Sequence, residues 1–314
     1  MANITTVAVL PPAVREYYDR LLLMTAYPQL IHTKFAQKRV LPEKMGDTIV
    51  FRRYARLATV PIALQDGITP PGAPLSATDI KARVDFYGNF VTITNQVELT
   101  VEDRVLNESS RLLAQNLAQT MDEITRDVLS STSSVLQASN GVNGNTPTEM
   151  TKADIDAVIQ TLLANDAEMI SDVIVGRDAF GTSPVRPAFW AYIDTALLDD
   201  LESVSNFVNA ANYPNDQSVL DSEWGATSNV RWLYTSVGSV TSSSPAVFNN
   251  FVVAKEAYAV VHLGSETGEF YVEPLGSAGA ADPLHQRGSV GWQHPFVARI
   301  LNDAFMLNFE TTHS

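Results

Sequence analysis

The 314-residue chain is 45% hydrophobic and 18% charged, a composition that builds a core and suits one large domain or two. It contains no cysteine, which excludes a disulfide scaffold and a thiolate metal site. Its net charge of −14 is the reverse of the basic footprint of a nucleic-acid reader.

The charge is unevenly spread. Residues 1–83 hold 11 of the 21 Lys and Arg but only 6 of the 35 Asp and Glu, a balance of +5 against −19 for the remainder. Met1 to Val9 has no basic residue and no long apolar run, so no secretory leader is expected. Residues 1–10 lack an amphipathic period and read as a draped arm. Pro11 and Pro12 suit the first turn of a helix, and Val14, Tyr17, Tyr18, Leu21 and Leu22 make that helix short and amphipathic, ending before Pro28. The apolar stretch Leu21 to Ile31 is too short, and too broken by Pro28, to span a bilayer. Gln29 to Pro42 reads as a connection.

From Asp47 to Leu57 side chains alternate as in a strand. Pro61, Gly67, Pro70, Pro71, Gly72 and Pro74 then make a long turn. A second strand pattern runs from Ile80 through Val84, Phe86, Phe90 and Ile93 towards Leu99, completing a long β-hairpin. A lone hairpin is marginal in water. With Arg52, Arg53, Arg56, Lys81 and Arg83 on it, this one has no core of its own, so it needs a partner surface. The uneven charge reads either as chance with ordinary surface solubility or as a basic front that lies on the acidic body of another copy.

Asn89 to Asn140 contains neither Gly nor Pro. Within it Leu106, Leu113, Leu117, Met121, Ile124, Val128 and Val135 recur at helical spacing, which predicts one long helix from Glu102 to Gln137, capped by Thr100. Asn140 to Thr148 is a surface turn. Thr151 caps a second helix, with Asp154 three residues on and Ile155, Val158, Ile159, Leu162 and Leu163 on one face. Asp172 to Gly176 reads as a short buried strand and Pro187 to Leu201 as a helix with Phe189, Trp190, Ile193, Leu197 and Leu198 inward. Phe207 to Ala226 is looser. Strands are expected over Val230 to Val237, Phe251 to Ala254, Ala257 to Leu263 and Phe270 to Val272, with turns at Thr241 to Pro245 and Gly276 to Pro283. A long extended run, Val290 to Phe309, closes the chain and returns to an earlier sheet.

No phosphate loop, HExxH, GxSxG or GxGxxG stands in the sequence, so no catalytic, cofactor-binding or metal residues are assigned. The five histidines share no ligand spacing, and His262, in an apolar strand, reads as a hydrogen-bonded core histidine. The carboxylate pairs Asp199–Asp200 and Glu266–Glu269 have no companion base or nucleophile. Trp190, Trp224, Trp232 and Trp292 read as core or interface anchors rather than base stacks.

Two local signatures carry a resemblance. The run Asp282-Pro283-Leu284-His285-Gln286-Arg287-Gly288-Ser289-Val290-Gly291-Trp292, followed by Ala298, Ile300, Leu301, Asn302, Asp303 and Ala304, resembles the closing signature of a family of tailed-phage major capsid proteins. That family is related to the main capsid subunit of coliphage N-four and has the Hong Kong 97-type fold. Leu220 to Val230 resembles its Glu-x-Gly segment, and Gly46 to Phe51 is similar to the strand opening its extended loop. The chain departs from the pattern at Gln293-His294-Pro295.

The resemblance implies an α+β fold: an N-terminal arm with a short helix (1–40), an extended β-hairpin loop (41–95), a peripheral domain with a spine helix (96–172), an axial domain (173–263) and a return to the peripheral domain (264–314). It implies a non-enzymatic subunit without cofactor that forms hexamers and pentamers of an icosahedral shell in the virion, is assembled in the host cytoplasm and encloses double-stranded DNA without reading its sequence. Portal and scaffold or decoration proteins are the implied partners, and no membrane is involved. Arg52, Arg53, Arg56, Lys81 and Arg83 are the expected subunit contacts. A Lys–Asn cross-link through Lys81 is not expected, since nothing marks its acid and Asn partners. The rivals are a nanocompartment shell of the same fold and a cytoplasmic α+β enzyme.

Overall fold

A stripe of apolar side chains every third or fourth residue decides where the longest element sits. In the computed structural model, helix α1 covers Val105–Ser130, roughly 39 Å at 1.5 Å per residue. It buries Leu113, Leu117, Met121 and Leu129. The structure describes residues 31–42, 44, 46–57, 72–95, 105–170, 187–213, 220, 222–241, 244–264, 268–273, 282–284 and 286–313. The arm with its short helix, the hairpin tip over 58–71, the Thr100 cap and the strand expected at 172–176 lie outside them, as does most of the loop near 276–283.

α1 ends seven residues before the expected Gln137. Ser131, Thr132, Ser133 and Ser134 offer the backbone partners other than the helix. Thr132 and Ser133 hydroxyls donate to the Asp303 carboxylate, the Ser133 N–H does so at 3.2 Å, and Ser131 Oγ donates back to the Val128 carbonyl. The chain then leaves as strand β5 (Val135–Gln137). Helix α2 (Lys152–Ala164) begins as expected, Thr151 and Asp154 forming a reciprocal capping box. Asp154 is wholly buried and also accepts the N–H groups of Ser139 and Gly141 at 3.0 and 2.6 Å.

α1 lies on a five-stranded sheet. Its strands are β1 (Gln37–Leu41), β4 (Asp85–Thr94), β12 (Tyr258–Leu263), β13 (Glu269–Glu273) and β14 (Arg287–Ile300). β14 is the axis: β12 and β13 pair with its two halves, β4 pairs along residues 287–296, and β1 adds to β12 in parallel. β1 falls in the stretch read as a connection. Leu113, Leu117 and Met121 meet Val290, Trp292 and Phe296 in the seam.

An eight-stranded sheet holds β5, β6 (Phe189–Asp194), β7 (Phe207–Asn209), β8 (Glu223–Thr227), β9 (Val230–Thr235), β10 (Ser239–Thr241), β11 (Val247–Val253) and β15 (Met306–Thr312). Its order is β5-β15-β11-β6-β9-β8-β7, with β10 also on β11. α2 packs against it. The helix expected over Pro187 to Leu201 is not formed: a 3-10 turn (Thr195–Leu197) and the short α3 (Leu198–Ser203) follow a strand there. β6 lies between β9 and β11, so Phe189, Trp190, Ala191, Tyr192 and Ile193 are all buried. A strand covered on both faces loses its alternation, and its spacing here imitates a helical stripe. The closing run divides at Leu301–Phe305: β14 stays in the first sheet and β15 returns to β5 and β11 in the second.

The sheets meet at residues 31–36. Asp122 of α1 accepts the N–H groups of Ile31 and His32 at 3.0 and 2.8 Å and contacts His32 Nδ1 at 2.7 Å. The Tyr258 hydroxyl donates to the His32 carbonyl, and Phe35 stacks on Trp190 at 4.4 Å. In the second sheet the Glu-x-Gly segment has a structural role. The Glu223 carboxylate receives Arg231 Nε and Nη2 at 2.6 and 2.5 Å, while Gly225 sits where a Cβ would strike the Phe207 ring and the Val208 carbonyl.

Candidate intersubunit contact surface

The hairpin forms as the alternation predicts, but shorter. β2 (Thr48–Tyr54) pairs antiparallel with β3 (Ala77–Arg83), and among the described residues this two-stranded sheet joins neither larger one. The second strand pattern is cut at Val84, which is 3% exposed and donates its N–H to the Asp47 carbonyl at 2.8 Å. Beyond it the chain belongs to β4. Leu41, Val84 and Val261 pack with Ile49 and Phe51, pinning the hairpin base to the body.

The register sorts the hairpin's side chains into two faces. Ile49, Phe51 and Arg53, with Ala82, Ile80 and Thr78 opposite, face the body across a cleft of about 840 Å³. Arg53 donates to Asn302 over it, and Arg56, just past the strand, reaches Asp166 at 2.6 Å. Thr48, Val50, Arg52 and Tyr54 share the other face with Arg83, Lys81, Asp79 and Ala77. There Val50 is 49% and Tyr54 62% exposed. Arg52 forks onto Asp79 at 2.8 and 3.1 Å, which holds the Asp79 carboxyl below its ordinary range. Arg83 meets Asp47 at 2.9 Å; the Thr48 hydroxyl first, and then Arg83, lower the Asp47 carboxyl. Of the five expected contacts, then, Arg52, Lys81 and Arg83 share the outward face; Arg53 and Arg56 turn to their own chain.

A second exposed surface escaped the sequence reading. Across β4, β14 and β13, Phe86, Phe90 and Tyr271 line the sheet face turned away from α1, over a shallow hollow of about 320 Å³. Phe86 is 61% and Phe90 69% exposed. Gly88 and Gly291 floor the hollow; a Cβ at Gly88 would lie 2.8 Å from the Trp292 carbonyl, and one at Gly291 would lie 2.8 Å from Phe90 Cβ. Glu269 and Glu273 flank Tyr271 on that face. Phe86 and Phe90 fall in the stretch that the sequence assigns to the hairpin, and they stand on one face only because β4 pairs with β14 instead.

The outward hairpin face is basic and partly apolar, and the shelf is acidic and aromatic. Neither is a cavity that buries a small molecule. Among the described residues no group of three or more His, Asp or Glu is placed to hold a metal, and no helix is long and apolar enough to cross a membrane. The hydrogen bond expected of His262 is made to His294 Nε2 at 2.9 Å.

A family model described as phage capsid protein matches residues 77–300. The fold is similar to the capsid of Ralstonia phage GP4 (TM-score 0.66, 13% identity, 89% of this chain and 87% of that one). It is also similar to the head of Helicobacter pylori bacteriophage KHP40 (0.63, 12%, 90% and 88%) and the capsid of the cyanophage P-SCSP1u (0.61, 12%, 91% and 89%). No curated protein matches the sequence.

Proposed function

We infer the assembly contacts of this molecule from one premise: the chain belongs to the phage capsid protein family. It is a tailed-phage major capsid protein of Hong Kong 97-type fold, a structural component of the virion that associates with copies of itself into the shell. On this reading the outward hairpin face, with Val50, Arg52, Tyr54, Lys81 and Arg83, lies on the Phe86–Phe90–Tyr271 shelf of a neighbouring copy. The observation that carries it is the hairpin's isolation: a two-stranded sheet with half-exposed Val50 and Tyr54 and no strand partner beyond itself among the described residues. Such a ribbon is marginal alone. A contact between two different patches of one molecule also propagates into rings, as pentamers and hexamers require.

We assign the peripheral domain to α1 and the five-stranded sheet, and the axial domain to α2, α3 and the eight-stranded sheet. That puts β1, β4 and β12 on the peripheral side and β5, α2 and β15 on the axial side, across the boundaries expected from the sequence. The shell would enclose double-stranded DNA without reading it, since a body charge of −19 beyond residue 83 repels phosphate. Portal and scaffold or decoration proteins, and assembly in the host cytoplasm, complete the proposal.

Charge reversal tests it. Arg52→Glu with Lys81→Glu places two anions opposite Glu269 and Glu273 of the neighbour. Shell yield by sedimentation is expected to fall at least tenfold, with circular dichroism and thermal midpoint of the subunit close to wild type. Wild-type yield from the doubly reversed chain would remove the outward face from the contact.

A further inference from the structure

Two histidines meet inside the sheet that carries α1. β12 and β14 run antiparallel with His262 opposite Phe296. His294 stands two residues from Phe296, the diagonal position on the same sheet face, a gap that ring side chains bridge. His262 Nδ1 lies 2.9 Å from His294 Nε2, and the ring centroids are 5.1 Å apart. One facing nitrogen must donate and the other accept, so the bond exists only while at least one of the two is unprotonated. His294 is 2% exposed and His262 partly buried, so water cannot readily solvate a charge placed there.

Among the described residues, the strands paired around the two histidines set one anion on the pair's own face, Asp85. Phe296 lies 5.3 Å from the His262 ring. α1 contributes Leu113 and Leu117 to the same seam. β4 sets the neutral phenol Tyr87 opposite His294 and the exposed Asp85 opposite Phe296. β13 sets Glu269 opposite Gln293, on the face turned away. β1 brings Lys38, opposite Val260, whose positive charge opposes a second one on His262.

We propose that His262 and His294 form an acid-operated lock: neutral, they tie β12 to β14 beneath α1, and doubly charged they push the two strands apart. Burial first, and Lys38 second, hold His262 down to about 4. An unfolded chain takes that proton near the ordinary histidine value of about 6.5. Between those limits the unfolded state binds more protons, so stability is complete above about pH 6.5 and drains away as pH falls towards 4. At tenfold per pH unit, the folded-to-unfolded ratio drops by up to roughly 300-fold over that span.

The test compares wild-type protein with His262→Gln, which keeps a hydrogen-bonding end but cannot charge. Denaturant unfolding at pH 7.5, 6, 5 and 4.5 is expected to show a wild-type loss exceeding the variant's by at least tenfold in the folded-to-unfolded ratio. Superimposable pH profiles would overturn the lock. Should the variant fail to fold, histidine C2-hydrogen exchange, read by mass spectrometry on intact wild-type particles, gives each residue's titration. Half-titration of His262 below pH 5 supports the lock, and half-titration at 6 or above refutes it.

Discussion

Replacing Glu223 by alanine tests most sharply how the eight-stranded sheet is held. Arg231 and Glu223 are both 6% exposed, and the Arg231 guanidinium lies 4.5 Å over the Trp190 ring. The carboxylate takes two guanidinium donors, the Tyr213 hydroxyl at 3.0 Å and the Leu220 N–H at 3.3 Å. Burial, with Glu223 nearby, holds the Tyr213 phenol far above its usual range, so it remains a donor at any working pH. Removing the carboxylate takes the Glu223 charge away from a buried cation and leaves the Tyr213 and Leu220 donors without this acceptor, at a cost of about 3–5 kcal/mol. For a chain of this length that lowers the thermal midpoint by about 6–10 °C, at roughly 2 °C per kcal/mol. Replacing both partners by methionine removes the charges together and is expected to restore most of the loss, since a well-packed apolar pair can match a buried ion pair. Scanning calorimetry of the subunit reads all three variants. A Glu223→Ala midpoint within 2 °C of wild type, or a double variant as unstable as the single, would refute the reasoning.

Asp303→Ala should destabilise the subunit by about 1–3 kcal/mol, because the Thr132 and Ser133 hydroxyls that end α1 lose their acceptor; chemical denaturation measures it. Although burial opposes the Asp303 charge, the Ser133 and Thr132 hydrogen bonds outweigh it and lower its carboxyl, so this contribution is intact above about pH 4 and is lost only as pH falls through the depressed value. Gly225→Ala should cost about 1–3 kcal/mol through collision with Phe207 and Val208, and should lower soluble yield; an unchanged denaturation midpoint would contradict the close approach.

Elements with one exposed face were legible in the sequence, since amphipathic periodicity survives only where one side meets water. α1, the α2 cap at Thr151 and Asp154, and the paired strands of the hairpin belong to this class. β6 was not legible: burial on both sides filled every position from Phe189 to Ile193 with apolar residues, and the spacing of Trp190, Ile193 and Leu197 then mimicked a helix. The end of α1 was hidden for another reason. Its stop depends on Asp303, 171 residues from Thr132, and local sequence shows only a run of five hydroxyl residues, Ser130 to Ser134, without that acceptor. The proposed contact surface was half legible. Counting cations found the hairpin's charge, but the register divided them, giving Arg53 and Arg56 to the chain's own body. The aromatic shelf could not be recognised before β4 was seen to leave the hairpin at Val84.

The absence of cysteine makes the central contact directly measurable. Shells co-assembled from equal parts of Tyr54→Cys and Phe90→Cys chains, then oxidised and run on a non-reducing denaturing gel, should give a disulfide-linked dimer that neither variant gives alone. Intact mixed shells yielding only monomer bands would show that the outward face of the hairpin does not rest on the aromatic shelf of its neighbour.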